Sequence, residues 1–203
     1  MRALDLFCGA GGASMGLHKA GFDVVGVDIA PQPEYPFEFI RGDATRPPVR
    51  LEKFDFIWAS PECQNHSMAA ARWRNAGKVY GDQIAVIRPL LEASRVPFVM
   101  ENVKEAPLRR DLWLTGGMFG RNLERERIFE MRGFRAEQPK YRKPREPLCT
   151  VAGHGGNSRT YKLRDWQKAM GIEWASRKPL VQAVPPDYSE YIAREFLRTG
   201  AAA

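Results

Sequence analysis

Three short segments carry residue types that can do chemistry. Cys63 lies in Ser60-Pro61-Glu62-Cys63-Gln64-Asn65-His66-Ser67, a polar stretch that follows an apolar run. A cysteine in a loop beyond a strand end is placed like a nucleophile. Its other reading is an inert, small core residue. Glu101-Asn102-Val103 closes a later apolar run. A carboxyl beside a thiolate suggests covalent catalysis with proton control, although alone it also reads as a solvated acid. Phe7-Cys8-Gly9-Ala10-Gly11-Gly12 follows the first apolar run, where glycines permit a tight turn and the close approach of a ligand. His66 invites a protease or metal reading, but no other ligand set accompanies it, and no metal site is expected.

The glycine segment is not the dinucleotide fingerprint, because the third glycine of GxGxxG would fall at Ser14. Asp28 closes the second apolar run, where an acid can bind ribose hydroxyls, and Asp43 follows the third. Two acids repel a phosphate and suit a sulfonium. The set therefore fits an adenosine-bearing cofactor without a pyrophosphate, as S-adenosylmethionine is. The alternative is a structural turn with two solvated acids.

The elements that must position these residues are legible in outline. Strands are predicted at residues 2–7, 23–28, 36–40, 54–59 and 97–101, each a short apolar run. Helical spacing runs through Met15, Leu17 and Ala20, and again over 81–95. Strands alternating with helices predict an α/β fold with a doubly wound, mostly parallel sheet. Its carboxyl edge would gather the glycine turn, both aspartates, Cys63 and Glu101. Residues 113–134 hold two apolar runs around Arg121-Asn122-Leu123-Glu124-Arg125-Glu126-Arg127. Helices are expected over 164–171 and 187–198, separated by Pro185-Pro186. The chain divides into a core, 1–134, a loop-rich insertion, 135–163, and C-terminal helices, 164–203, that return to the core.

Length and composition set the outer bounds. A chain of 203 residues suits one domain that buries a core without staples. No apolar run approaches the roughly 20 residues of a membrane span, and the start is too glycine-rich for a signal peptide. A soluble, cytoplasmic protein without a membrane partner is expected. The net charge of +7 is compatible with a polyanionic partner. Three cysteines with no CxxC pair argue against a disulfide framework.

Taken in order, these segments resemble the cytosine-5 DNA methyltransferase family. Leu4-Asp5-Leu6-Phe7-Cys8-Gly9-Ala10-Gly11-Gly12 is similar to its cofactor loop. Pro61-Glu62-Cys63-Gln64-Asn65-His66-Ser67 resembles its Pro-Pro-Cys-Gln-x-Phe-Ser catalytic motif, and Glu101-Asn102-Val103 its Glu-Asn-Val motif. Arg125-Glu126-Arg127 resembles its Arg-x-Arg, and Gln182-Ala183-Val184-Pro185-Pro186 its late Asn-Ala-Val-Pro. The matches run from residue 4 to 186. Departures are Glu62 for the second proline, His66 for the aromatic, Asp28 for glutamate, Leu123 for glutamine, Gln182 for asparagine and a short insertion. The compact form is similar to phage-borne members, which implies a bacterial or phage-infected host cell; restriction–modification, phage self-protection and regulation would all use the same active site.

The resemblance implies the Rossmann-like S-adenosylmethionine-dependent fold and methylation of carbon 5 of a flipped-out cytosine in double-stranded DNA. It makes Cys63 the nucleophile and sets Glu101 on the base. Arg127 is set on its O2, with Arg125 available to phosphate or to hold the site. It assigns S-adenosylmethionine to Phe7, Gly9, Gly11, Gly12, Asp28, Ile29, Asp43, Ala44, Pro61, Gln182 and Ala183. The insertion around Lys140, Arg142, Lys143 and Arg145 is read as a phosphate-binding strip or as a charged flexible loop. Other readings are an RNA or free-nucleotide cytosine methyltransferase, a non-catalytic cofactor-binding accessory, and the use of a carboxylated S-adenosylmethionine. Either a monomer or a dimer fits.

Overall fold

A computed structural model describes residues 1–62, 81–143, 148–151 and 161–200. Cys63, His66 and Arg145 lie outside the described residues, as does the polar loop expected after the fourth strand. The strands are β1 (Arg2–Leu6), β2 (Asp23–Asp28), β3 (Glu38–Arg41), β4 (Phe56–Ala59), β5 (Phe98–Asn102), β6 (Leu112–Leu114), β7 (Leu123–Glu124), β8 (Arg127–Arg132) and β9 (Cys149–Thr150). The helices are α1 (Gly12–Lys19), α2 (Gln83–Ser94), α3 (Leu163–Met170), α4 (Arg177–Gln182) and α5 (Pro186–Gly200).

Seven strands form one sheet in the order β3-β2-β1-β4-β5-β8-β6. The first five are parallel, and β8 runs antiparallel to both β5 and β6. This is the Rossmann-like methyltransferase architecture. A short β7–β9 pair stands apart. The central strands are buried on both faces, as parallel strands under helices must be. Leu4, Leu6, Ile57 and Met100 face Ile84, Ile87 and Leu91 of α2. Ala3, Trp58, Val99 and Phe129 face Leu17 of α1 and Tyr188, Ile192 and Phe196 of α5. A third cluster, with Trp166, Met170, Ile172 and Leu180, packs around Ala10 below the glycine turn. Among the described residues no helix is long and apolar enough to cross a membrane.

The main differences from the sequence reading have physical causes. The third strand covers 38–41 instead of 36–40. No helix joins β2 to β3, and the connection is short enough to be spanned by a loop. Helix α4 is an unanticipated six-residue element containing Pro179, too short for a periodic signal. The reversal of β8 follows from the pairing of Phe98 through Asn102 with Arg132 through Ile128, which no local pattern encodes.

Helices α1 and α5 meet through glycine. A Cβ on Gly12 would strike the Val184 carbonyl, and one on Gly16 would strike the Pro186 carbonyl and the Ser189 hydroxyl. The Ser189 hydroxyl also donates to the Ala13 carbonyl at 2.8 Å. Gly16→Ala is therefore expected to destabilise the fold by about 1–3 kcal/mol, the usual cost of overpacking. Thermal unfolding measures this. Gly81→Ala, where an added Cβ meets nothing within 4 Å among the described residues, is the control and should leave the transition in place.

Candidate active site

The turn after β1 is a left-handed staircase: Phe7, Gly9 and Gly11 have φ of 62°, 49° and 80°. The two glycines adopt this without a Cβ clash, whereas Phe7 is held there by the fold. Among the described residues, an added Cβ on Gly9 would meet nothing within 4 Å, so this backbone is open on that side. Asp28, at the end of β2, secures the turn. Its Oδ2 accepts from the Gly9 N–H and its Oδ1 from the Ala30 N–H, both at 3.0 Å. Ile29 next to it is 66% exposed. Beyond β3, the Asp43 Oδ1 accepts from the Thr45 N–H and hydroxyl at 2.9 and 2.7 Å. Those bonds hold its carboxyl below the usual range. Ala44 is buried beside it.

The late motif closes on the same turn. Ala183 and Val184 lie against Gly12, Gln182 is exposed, and the Trp174 indole donates to the Ala10 carbonyl at 2.8 Å. Phe7, Gly9, Gly11, Gly12, Asp28, Ile29, Asp43, Ala44, Gln182 and Ala183 thus collect at one edge of the sheet. Each Asp28 oxygen accepts one backbone bond and keeps a second lone pair for a ribose hydroxyl. With an open glycine cradle, an exposed aliphatic side chain and acids in place of cations, this donor set fits the adenosyl and sulfonium groups of S-adenosylmethionine.

Beneath the turn lies a network not anticipated from the sequence. Asp5 on β1 is fully buried, and its Oδ2 accepts from the Ser14 hydroxyl. The Ser14 oxygen is 2.8 Å from the Tyr35 hydroxyl. The Tyr35 ring occupies the room left by Gly11 and Gly26. Among the described residues, the Asp5 Oδ1 has no hydrogen-bond partner. Burial pushes the Asp5 carboxyl up to about 7, against the lowering effect of Ser14. The available signal was an acid inside an apolar strand. Burial, with Asp5 and Asp28 nearby, also pushes the Cys8 thiol far up, which makes it a poor nucleophile.

The second cluster sits where β5 ends and β8 begins. Glu101 is 5% exposed, and its Oε1 lies 2.8 Å from the Arg127 Nε. Because β8 is reversed, its first residue arrives at the edge where the parallel strands finish. Arg125 is buried; it donates to the carbonyls of Val151 and Val181 at 3.3 and 2.8 Å. Its own carbonyl accepts from the Tyr188 hydroxyl at 2.8 Å. Asn102, also missed, donates through Nδ2 to the Pro61 carbonyl at 2.9 Å, tying the chain after β4 to the end of β5. The carboxylate and guanidinium together present an acceptor and donors to a planar base.

The family model described as C-5 cytosine-specific DNA methylase matches residues 1–111. No curated protein matches the chain. The similar solved structures include the following three. S. pombe Dnmt2 methyltransferase is 14% identical, with 98% of each chain covered and a TM-score of 0.65. A mutant of Spodoptera frugiperda DNMT2 is 17% identical over 77% of this chain, with a TM-score of 0.49. The PH0226 protein of Pyrococcus horikoshii is 25% identical over 50% of this chain, with a TM-score of 0.35. The chain spans 60% of the Spodoptera protein and 48% of the Pyrococcus protein. The S. pombe likeness is one of fold.

The buried Asp5 carboxyl makes stability depend on pH. Its folded-state value, about 7, lies above the ordinary 3.8, so the folded state holds the proton more tightly than the unfolded chain. Stability should therefore fall as pH rises from about 4 to 7, and level off above. Asp5→Asn keeps the shape and removes the ionisation. Its denaturant midpoint should be nearly level over this range, and its advantage over the parent should widen toward pH 8.

Proposed function

Since the chain belongs to the C-5 cytosine-specific DNA methylase family, we propose that it methylates carbon 5 of a cytosine flipped out of duplex DNA. The reading is carried by the Glu101–Arg127 pair, which stands at the same sheet edge as the glycine turn. The chain between them contains Cys63 in its Pro-Glu-Cys-Gln context.

Carbon 5 is a weak nucleophile in an aromatic ring. The Cys63 thiolate forms a bond to carbon 6, and the carbon 5–carbon 6 π electrons move toward carbon 5 and nitrogen 3. Glu101 meets the exocyclic amine and nitrogen 3, and a proton shared there stabilises the developing charge. Arg127 donates to the base's O2 and keeps Glu101 oriented. When bound, S-adenosylmethionine supplies an electrophilic methyl on a cationic sulfur. Asp28 and Asp43 would hold its ribose and adenine ends, and their negative charge would favour the sulfonium. Transfer of the carbon 5 proton to a water, with departure of the Cys63 sulfur as thiolate, restores the ring. Carbon 6 is closed to a thiol inside a stacked duplex, so the base must leave the stack. Arg125 acts from below, fixing the carbonyls on which the arginine segment rests.

Incubation with S-adenosylmethionine and duplex DNA, followed by digestion and mass spectrometry of nucleosides, is expected to yield 5-methyldeoxycytidine. RNA and cytidine nucleotides run beside it, and product in those arms alone would reassign the substrate. Cys63→Ala should abolish turnover while keeping cofactor binding; retained turnover would remove the covalent route. Glu101→Gln should lower kcat by about 10²–10³-fold, the cost of losing a charge-stabilising contact. Asp28→Ala with Asp43→Ala should weaken S-adenosylmethionine binding in calorimetry.

A further inference from the structure

The segment after β8 turns back toward the active edge. Gln138 clasps Trp113 of β6: the Trp113 N–H donates to its amide oxygen at 3.3 Å and its amide nitrogen donates to the Trp113 carbonyl at 2.8 Å. The chain then reaches the turn that follows β6. There an added Cβ on Gly117 would sit 2.7 Å from the Arg142 carbonyl and 2.8 Å from the Tyr141 ring. Glycine at 117 is thus what seats Tyr141 and Arg142. The seated ring is not consumed by packing: Tyr141 is 52% exposed. Lys140, Arg142 and Lys143 flank it, all exposed, with no acid between Glu137 and Glu146.

The location matters as much as the composition. Leu114 at the end of β6 pairs with Arg127, and Gly117 is three residues further on. Chain reach therefore keeps the Tyr141 seat within roughly 20 Å of Arg127, a span of a few nucleotides. An exposed aromatic flanked by cations and anchored through its backbone is the arrangement that stacks unpaired bases and tracks phosphates.

We propose that Tyr141, with Lys140, Arg142 and Lys143, is a platform for an unpaired nucleotide beside the target cytosine. The ring stacks on the neighbouring base, and the cations meet the flanking phosphates. This rests on the nucleic-acid reading above and adds a preference for strands whose flanking bases are unstacked. Duplex DNA would engage the platform only where it is opened around the target.

Fluorescence anisotropy with labelled cytosine-containing oligonucleotides tests this without needing turnover, so it can fail separately from methyl transfer. Single-stranded and fully paired probes are used, in deoxyribose and ribose forms. Tyr141→Ala should weaken single-strand binding by about tenfold, the scale of one lost base stack, in at least one sugar class, and should affect the paired probe less. Tyr141→Phe keeps the π face and should bind like the parent. Gly117→Ala, whose Cβ would crowd both the Arg142 carbonyl and the Tyr141 ring and so displace the seat, should weaken binding similarly, with thermal unfolding checking that each variant is folded. Parent-like binding by folded Tyr141→Ala on every probe would overturn the proposal. So would an equal loss in Tyr141→Phe.

Discussion

Two glycines one helical turn apart decide how this molecule closes. Gly12 and Gly16 present bare backbone on one face of α1, and the segment from Ala183 to Glu190 lies directly against them. Side chains there would lift α5 away, and with it Tyr188, whose hydroxyl holds the Arg125 carbonyl. The same approach presses Ala183 and Val184 on the glycine turn. One steric absence therefore couples the cofactor edge to the arginine segment, although the contributing residues are some 170 positions apart in sequence.

The charges are distributed by burial. Glu101 and Arg127 neutralise each other at the edge, where leaving either partner alone would be costly. Arg125 spends its donors on main-chain carbonyls. Asp5, bonded to Ser14 and through it to Tyr35, is desolvated by burial and holds its proton to about pH 7.

Much of this was legible in the chain. Apolar runs ending in Phe7, Asp28 and Glu101 marked the strand ends, and a parallel sheet brings such ends together. Residues 23–28 match β2 throughout. The glycine turn and the acids could be placed at one edge because they follow strands directly. What stayed hidden depends on distant partners. The reversal of β8 is a pairing choice, the different partners of Arg125 and Arg127 follow from which groups lie near, and Tyr35 belongs to a network only because Gly11 and Gly26 leave it room.

The reversed strand has a consequence for the chain that follows it. Because β8 ends at the amino edge, residues 133–141 must climb the full height of the sheet to regain the active edge. They do so along the outer margin of β6, where Gln138 satisfies both main-chain groups of Trp113. On the other side they are fastened to α5, with the Tyr191 hydroxyl donating to the Glu137 carbonyl at 2.6 Å. An open margin of this kind is a template for strand addition from another molecule. The climbing segment shields it with a side-chain amide instead of a further strand, so one stretch of chain both delivers Tyr141 and guards the sheet against aggregation.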